Sequence, residues 1–147
     1  VDPRTKARQL AMQALFQLDV QGSALLPDLN TFFNENAEEN SVRRLASDWT
    51  RDAWENHLAC DELITGSAKK WKLTRLSLVD KSILRLAVFQ LKFCADIPPK
   101  VAINEAIELA KKFGTEKSPA FVNGVLDGVL KTLQLKKQHS ATDSKEK

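Results

Sequence analysis

The chain has 147 residues, 43% of them hydrophobic, which is the size and apolar content of one domain whose core needs no metal or disulfide staple. Five Gly, five Pro and no Tyr argue against a fold of repeated tight hairpins and for an all-helical one. The net charge of +3 sits at the two ends, with Arg4, Lys6 and Arg8 against Asp2 at the start and five lysines against Asp143 and Glu146 after residue 130, a placement that points to a polyanionic partner.

Pro3 is placed to open a helix that runs without a breaker to Gly22. Leu10, Ala11, Ala14, Leu15 and Leu18 share its core face. Arg8, Met12 and Phe16, spaced by four, form a second stripe, and Gln9, Gln13 and Gln17 a polar third. Residues 22 to 40 read as a loop holding a short helix around Leu29 to Asn36. Ser41 is expected to cap a long helix running to about Thr65 and closed by Gly66. His57 and Cys60 stand three apart on it without a complementary pair elsewhere, so they read as ordinary helix residues and no metal is expected.

Ser77 followed by Asp80 resembles a capping box for a helix from about Leu78 to Ala95. That helix is apolar around nearly its whole circumference, with a thin stripe of Lys81, Arg85 and Lys92, and belongs in the middle of the fold. Gln90 falls in its apolar arc and must find a hydrogen-bond partner. After Pro98 and Pro99, residues 101–113 form an amphipathic helix with Ala102, Ile103, Ala106, Ile107, Ala110 and Phe113 inward and a Glu108–Lys112 pair outward, ended by Gly114. Ser118 and Pro119 suit an N-cap and first turn of a last helix running to about Leu133, with residues 134–147 as a polar, Lys-rich flexible tail beyond the 1–133 domain. In this helix Val122, Val125, Leu126, Val129 and Leu133 face the core. Gly124 and Gly128, each costing about 1 kcal/mol relative to Ala, predict a close backbone approach beside Phe121.

No Gly-rich phosphate loop, GxSxG, HExxH or cysteine-rich zinc spacing occurs, so neither catalysis nor a cofactor is expected. No apolar run reaches membrane length and no secretory leader is seen, while Cys60 and Cys94 read as reduced thiols, so a cytoplasmic setting and no membrane partner are expected. Binding remains. Arg4, Lys6 and Arg8 can neutralise phosphates, an exposed amide cluster at Ser118 to Ala120 can receive another, and Phe16 and Phe121 sit where an aromatic can stack on an unpaired base. The competing reading of the two phenylalanines is that they join two packed halves of the fold.

The sequence as a whole resembles the NusB transcription antitermination family. The likeness rests on ARQLAMQALFQLD, on W-x-L-x-R at Trp71, Leu73 and Arg75, on VDKSILRLAVFQL, and above all on IPPKVAINEAIELAKKFGTEKSPAFVNGVLDGVL, in the family's order and spacing from about residue 4 to 130. The resemblance implies two small helical bundles packed together, and a factor that binds boxA RNA with the ribosomal protein NusE within the RNA polymerase antitermination complex of ribosomal RNA operons. It also implies roles by position. Lys6 and Arg8 match the basic start of the first helix, Phe16 an aromatic near the RNA and partner surfaces, and Phe121 the aromatic of the FVNG motif beside the RNA path. Lys117 replaces a position that is often acidic, which places an extra cation near Ser118 and that path. Two residues depart from the family pattern: Thr5 interrupts the basic run, and Gln90 replaces a Glu whose helix faces NusE, so Gln90 is expected to help present the partner surface.

Two other readings differ in kind. Similar helical domains precede ribosomal RNA methyltransferases, although this chain shows no cofactor-binding βαβ pattern. A helical interaction module without RNA binding is the other, and the Gly124 and Gly128 edge is also a candidate for a homodimer contact.

Overall fold

Asp2 and Pro3 set the first helix, α1 (Pro3–Gln21): the Asp2 carboxylate accepts the Arg4 amide at 2.8 Å, and Pro3 fills the first helical position, where an N–H would have no partner. The helix ends at Gly22, whose φ of 81° favours glycine and whose amide donates to the Leu18 carbonyl. A 3₁₀ turn (Ser23–Asp28) and α2 (Leu29–Asn36) follow, in agreement with the loop and short helix expected there. The computed structural model describes residues 2–68 and 76–145, with 140–145 given by backbone alone, so Trp71, Leu73 and Arg75 lie outside the described residues.

The long helix expected from Ser41 to Thr65 is two helices, α3 (Asn40–Glu55) and α4 (His57–Ser67). Local side chains account for the break. The Asn56 side chain donates to the Asp52 carbonyl at 2.8 Å, and His57 bonds through Nδ1 to the Trp54 carbonyl while its ring stacks on Trp54 at 4.3 Å. These groups compete with the helical ladder, as Asn does at helix ends. His57 is thereby committed to Trp54, and Cys60 is buried with its thiol pushed up to about 11 by burial.

Ser77 Oγ accepts the Asp80 amide at 3.1 Å and starts α5 (Leu78–Phe93) as the capping box predicts. Every residue from Ser82 to Gln90 is buried, and α5 packs on α1, α3, α4, α6 and α7. It is the central helix. Next, α6 (Pro99–Phe113) begins earlier than expected because Pro99 serves as its first residue. Gly114 ends it, where an added Cβ would lie 2.4 Å from Ser118 Oγ. The last helix, α7 (Ser118–Lys145), continues past its expected end near Leu133.

Within one continuous core, α1, α2 and α3 form one bundle and α4 to α7 the other, joined where α1 lies on α5. All regular structure among the described residues is helical, and no helix among them is long and apolar enough to cross a membrane. The two helical glycines behave differently. A Cβ at Gly128 would meet Ser67 at 3.0 Å, which is the close approach expected, but the same atom at Gly124 meets nothing within 4 Å. Gly124 lies on the exposed side of α7.

Two residues of the thin polar stripe of α5, Lys81 and Arg85, join a buried ion cluster, while Lys92 is exposed. Arg85 donates to both oxygens of Asp61 at 2.8 and 2.7 Å and to Asp19 at 2.9 Å, and Lys81 pairs with Asp19 at 3.0 Å. It ties α1, α4 and α5 together. Burial pushes the Arg85 guanidinium down, yet the two carboxylates outweigh it and raise its pKa.

Candidate nucleic-acid interface

The basic start of α1 splits into two environments. Arg4 is exposed and Lys6 partly so, while Arg8 is only 3% exposed. Arg8 Nε donates to Gln90 Oε1 at 3.2 Å, its Nη1 lies 3.5 Å from Glu105, and its guanidinium sits 5.0 Å over the Trp49 ring. Burial pushes Arg8 down, with Glu105 opposing, and the net shift is downward. The free chain therefore does not offer Arg8 to a phosphate as the sequence suggests. It anchors α1 instead.

Gln90 is corrected in the same way. At 1% exposure it presents nothing to a partner; it is the acceptor that holds Arg8, and its Nε2 is buried without a hydrogen bond. Thr5 has a task too, since its hydroxyl donates to Glu105 at 2.8 Å. The interruption of the basic run secures the carboxylate that faces Arg8. Arg4, Arg8, Trp49 and Glu105 line a cleft of about 680 Å³ together with Asp96, Ile97 and Pro98.

A second patch forms at the start of α7. Lys117 is exposed, Phe121 is half-buried, and both line a depression of about 180 Å³ with Leu76, Ser77, Asp80 and Thr115. Ser118 is 2% exposed and its Oγ accepts the Thr115 amide at 3.0 Å, so its side chain braces the turn. The amide cluster expected at Ser118 to Ala120 is smaller than the sequence suggests: the Ser118 amide donates to the Thr115 carbonyl and Pro119 has no N–H, which leaves Ala120. Asp80 Oδ1 is buried beside this depression without a hydrogen bond.

Phe16 is half-buried, while Arg8 and Met12 of its stripe are interior, so the stripe divides between core and surface. The i, i+4 spacing on α6 predicts a Glu108–Lys112 pair. In the structure Lys111 takes Glu108 at 3.1 Å and Lys112 reaches across to Gln9 Oε1 of α1 at 2.8 Å. Spacing on one helix cannot reveal a bond to another; the doubled lysine at 111 and 112 was the available signal.

The NusB family model matches residues 5–131. A transcription antitermination protein NusB of Geobacter sulfurreducens is 44% identical over 131 residues, covering 88% of this chain and 95% of that protein. Among solved structures, T. maritima NusB is 39% identical with a TM-score of 0.75, covering 87% of this chain and 90% of that one. A crystal structure of antitermination factors NusB and NusE in complex with dsRNA contains a chain that is 27% identical with a TM-score of 0.77, covering 90% of this chain and 98% of that one.

Proposed function

The chain belongs to the NusB family, and we propose that it is a transcription antitermination factor that holds boxA-type RNA together with NusE. The observation that carries this reading is its likeness, along nearly the whole chain, to a NusB chain solved with NusE and RNA. Arg4, Lys6 and Lys117 act as phosphate contacts, since these are the exposed or partly exposed cations of the two patches. Phe16 and Phe121, half-buried, each offer an aromatic to an unpaired base. Arg8, Gln90 and Ser118 support these residues from inside. The RNA stays tethered to the elongating polymerase, so the task is binding alone and requires no bond-making step.

Fluorescence anisotropy of labelled boxA RNA against a scrambled RNA of equal length, with and without NusE, tests the reading. Selective binding that tightens with NusE is expected. Equal affinity for both RNAs and no response to NusE would instead leave a helical interaction module.

A further inference from the structure

A pocket between α2 and α3, about 260 Å³ in volume, gathers more hydrogen-bond donors than the fold uses. Asn40, Arg43 and Arg44 line it from α3, and Asn30 and Asn34 from α2. Arg43 is held in place: its Nε donates to the Ala37 carbonyl at 2.6 Å and its Nη1 to Asn40 Oδ1 at 3.3 Å. Asn30 Oδ1 accepts from Arg51 Nη2 at 3.2 Å. A guanidinium can only donate, so these contacts commit the amide oxygens of Asn30 and Asn40 to arginines and leave both NH2 groups as donors. Arg44 is exposed and makes neither a hydrogen bond nor an ion pair among the described residues.

The start of α3 adds to the imbalance. It has no side-chain cap and no acidic residue in its first turn, and the two arginines follow directly. Cations are disfavoured at this positive end of a helix, and an anion beside them offsets that cost. Glu38 and Glu39 line a different depression, with Pro3 and Lys6, and pair with neither arginine. Asp48 lines the pocket, and neither arginine pairs with it.

We infer that this pocket binds a single phosphate group, carried by a monoester or as the free anion. Donors reach it from two helices, which suits the several oxygens of a tetrahedral phosphate better than the two of a planar carboxylate. The Asp48 carboxylate opposes a run of phosphates, so an isolated group fits where a nucleic-acid backbone does not. The pocket shares no lining residue with the clefts at Arg8 and Phe121, and the inference is independent of the RNA-binding reading.

The test is an NMR titration of the full chain with inorganic phosphate, glycerol 3-phosphate or acetate at one ionic strength, read at the side-chain NH2 signals of Asn30 and Asn40. Saturable shifts are expected with both phosphates and not with acetate. Arg44→Ala should raise the Kd about tenfold, the loss of one charge-assisted contact. Asn34→Asp, which replaces a donor by a charge at an exposed position, should raise it further, while Lys131→Ala on α7 should leave it unchanged. Tighter binding of glycerol 3-phosphate assigns the pocket to a phosphorylated ligand, and tighter binding of inorganic phosphate assigns it to the free anion. Shifts that do not saturate, or that acetate reproduces, overturn the inference. So does an unchanged Kd in Arg44→Ala and Asn34→Asp with native spectra, or a lowered salt slope of RNA binding in Arg44→Ala, which would give the arginine to an RNA backbone.

Discussion

Arg8 and Arg85 are both almost wholly buried, at 3% and 5% exposure, yet the fold treats their charges in opposite ways. Arg85 meets two carboxylates in hydrogen-bond contact, one of them bidentate, and its guanidinium is raised. Arg8 meets a neutral amide and a carboxylate at 3.5 Å, and it is lowered. Burial alone therefore does not describe a buried charge; what matters is whether its partners replace the lost water. At the centre of the molecule they do, and the cluster locks α1, α4 and α5. At the start of α1 they do so only in part, and the neighbouring cations face outward.

The largest break in this comparison is Arg85→Met, which strands Asp61 and leaves Asp19 to Lys81 alone. It should cost about 3–5 kcal/mol in denaturant unfolding, the range for removing one partner of a buried ion pair. Arg8→Met should cost less, about 2 kcal/mol, because it frees one neutral acceptor and a part-exposed carboxylate. Equal losses would mean that the two sites are alike after all.

Acid sharpens the same contrast. Burial pushes the Asp19 carboxyl up, but hydrogen bonds from Lys81 and Arg85 outweigh it and hold Asp19 below its ordinary value of 3.8. A carboxyl depressed in the folded state contributes stability that is present above its unfolded pKa and lost as pH falls through the folded one. Stability should therefore fall as pH drops below about 4, and Asp19→Asn should flatten that part of the curve in pH-dependent denaturant titrations. The smallest effect concerns the glycines. Gly124→Ala, with open space at its Cβ, should gain roughly 0.5–1 kcal/mol, and Gly128→Ala should gain less or lose stability, because Ser67 must give way. Thermal melts of the two variants check this order.

Helix positions and the central place of α5 were legible because periodicity, Ser77 and the proline and glycine punctuation each act within a few residues. The α3–α4 break was not, since it depends on Asn56 and His57 turning their side chains onto nearby carbonyls rather than on any strong breaker. The candidate site was legible in its residues but not in their exposure. Nothing in the spacing of Arg4, Lys6 and Arg8 says which one turns inward; that is decided by Gln90 and Glu105, far along the chain on other helices. The reach of Lys112 to Gln9 is hidden for the same reason.

The sharpest test of the contrast sets one outward lysine against one inward lysine in the same assay. Lys6→Ala and Lys81→Ala each remove a single positive charge, but Lys81 is held by Asp19 at 3.0 Å inside the ion cluster. Salt-dependent binding of boxA RNA should show a slope lowered by about 0.7 for Lys6→Ala and unchanged for Lys81→Ala, whose effect should fall on stability instead. Equal slopes in the two variants would contradict the division between a sealed centre and an open, basic edge.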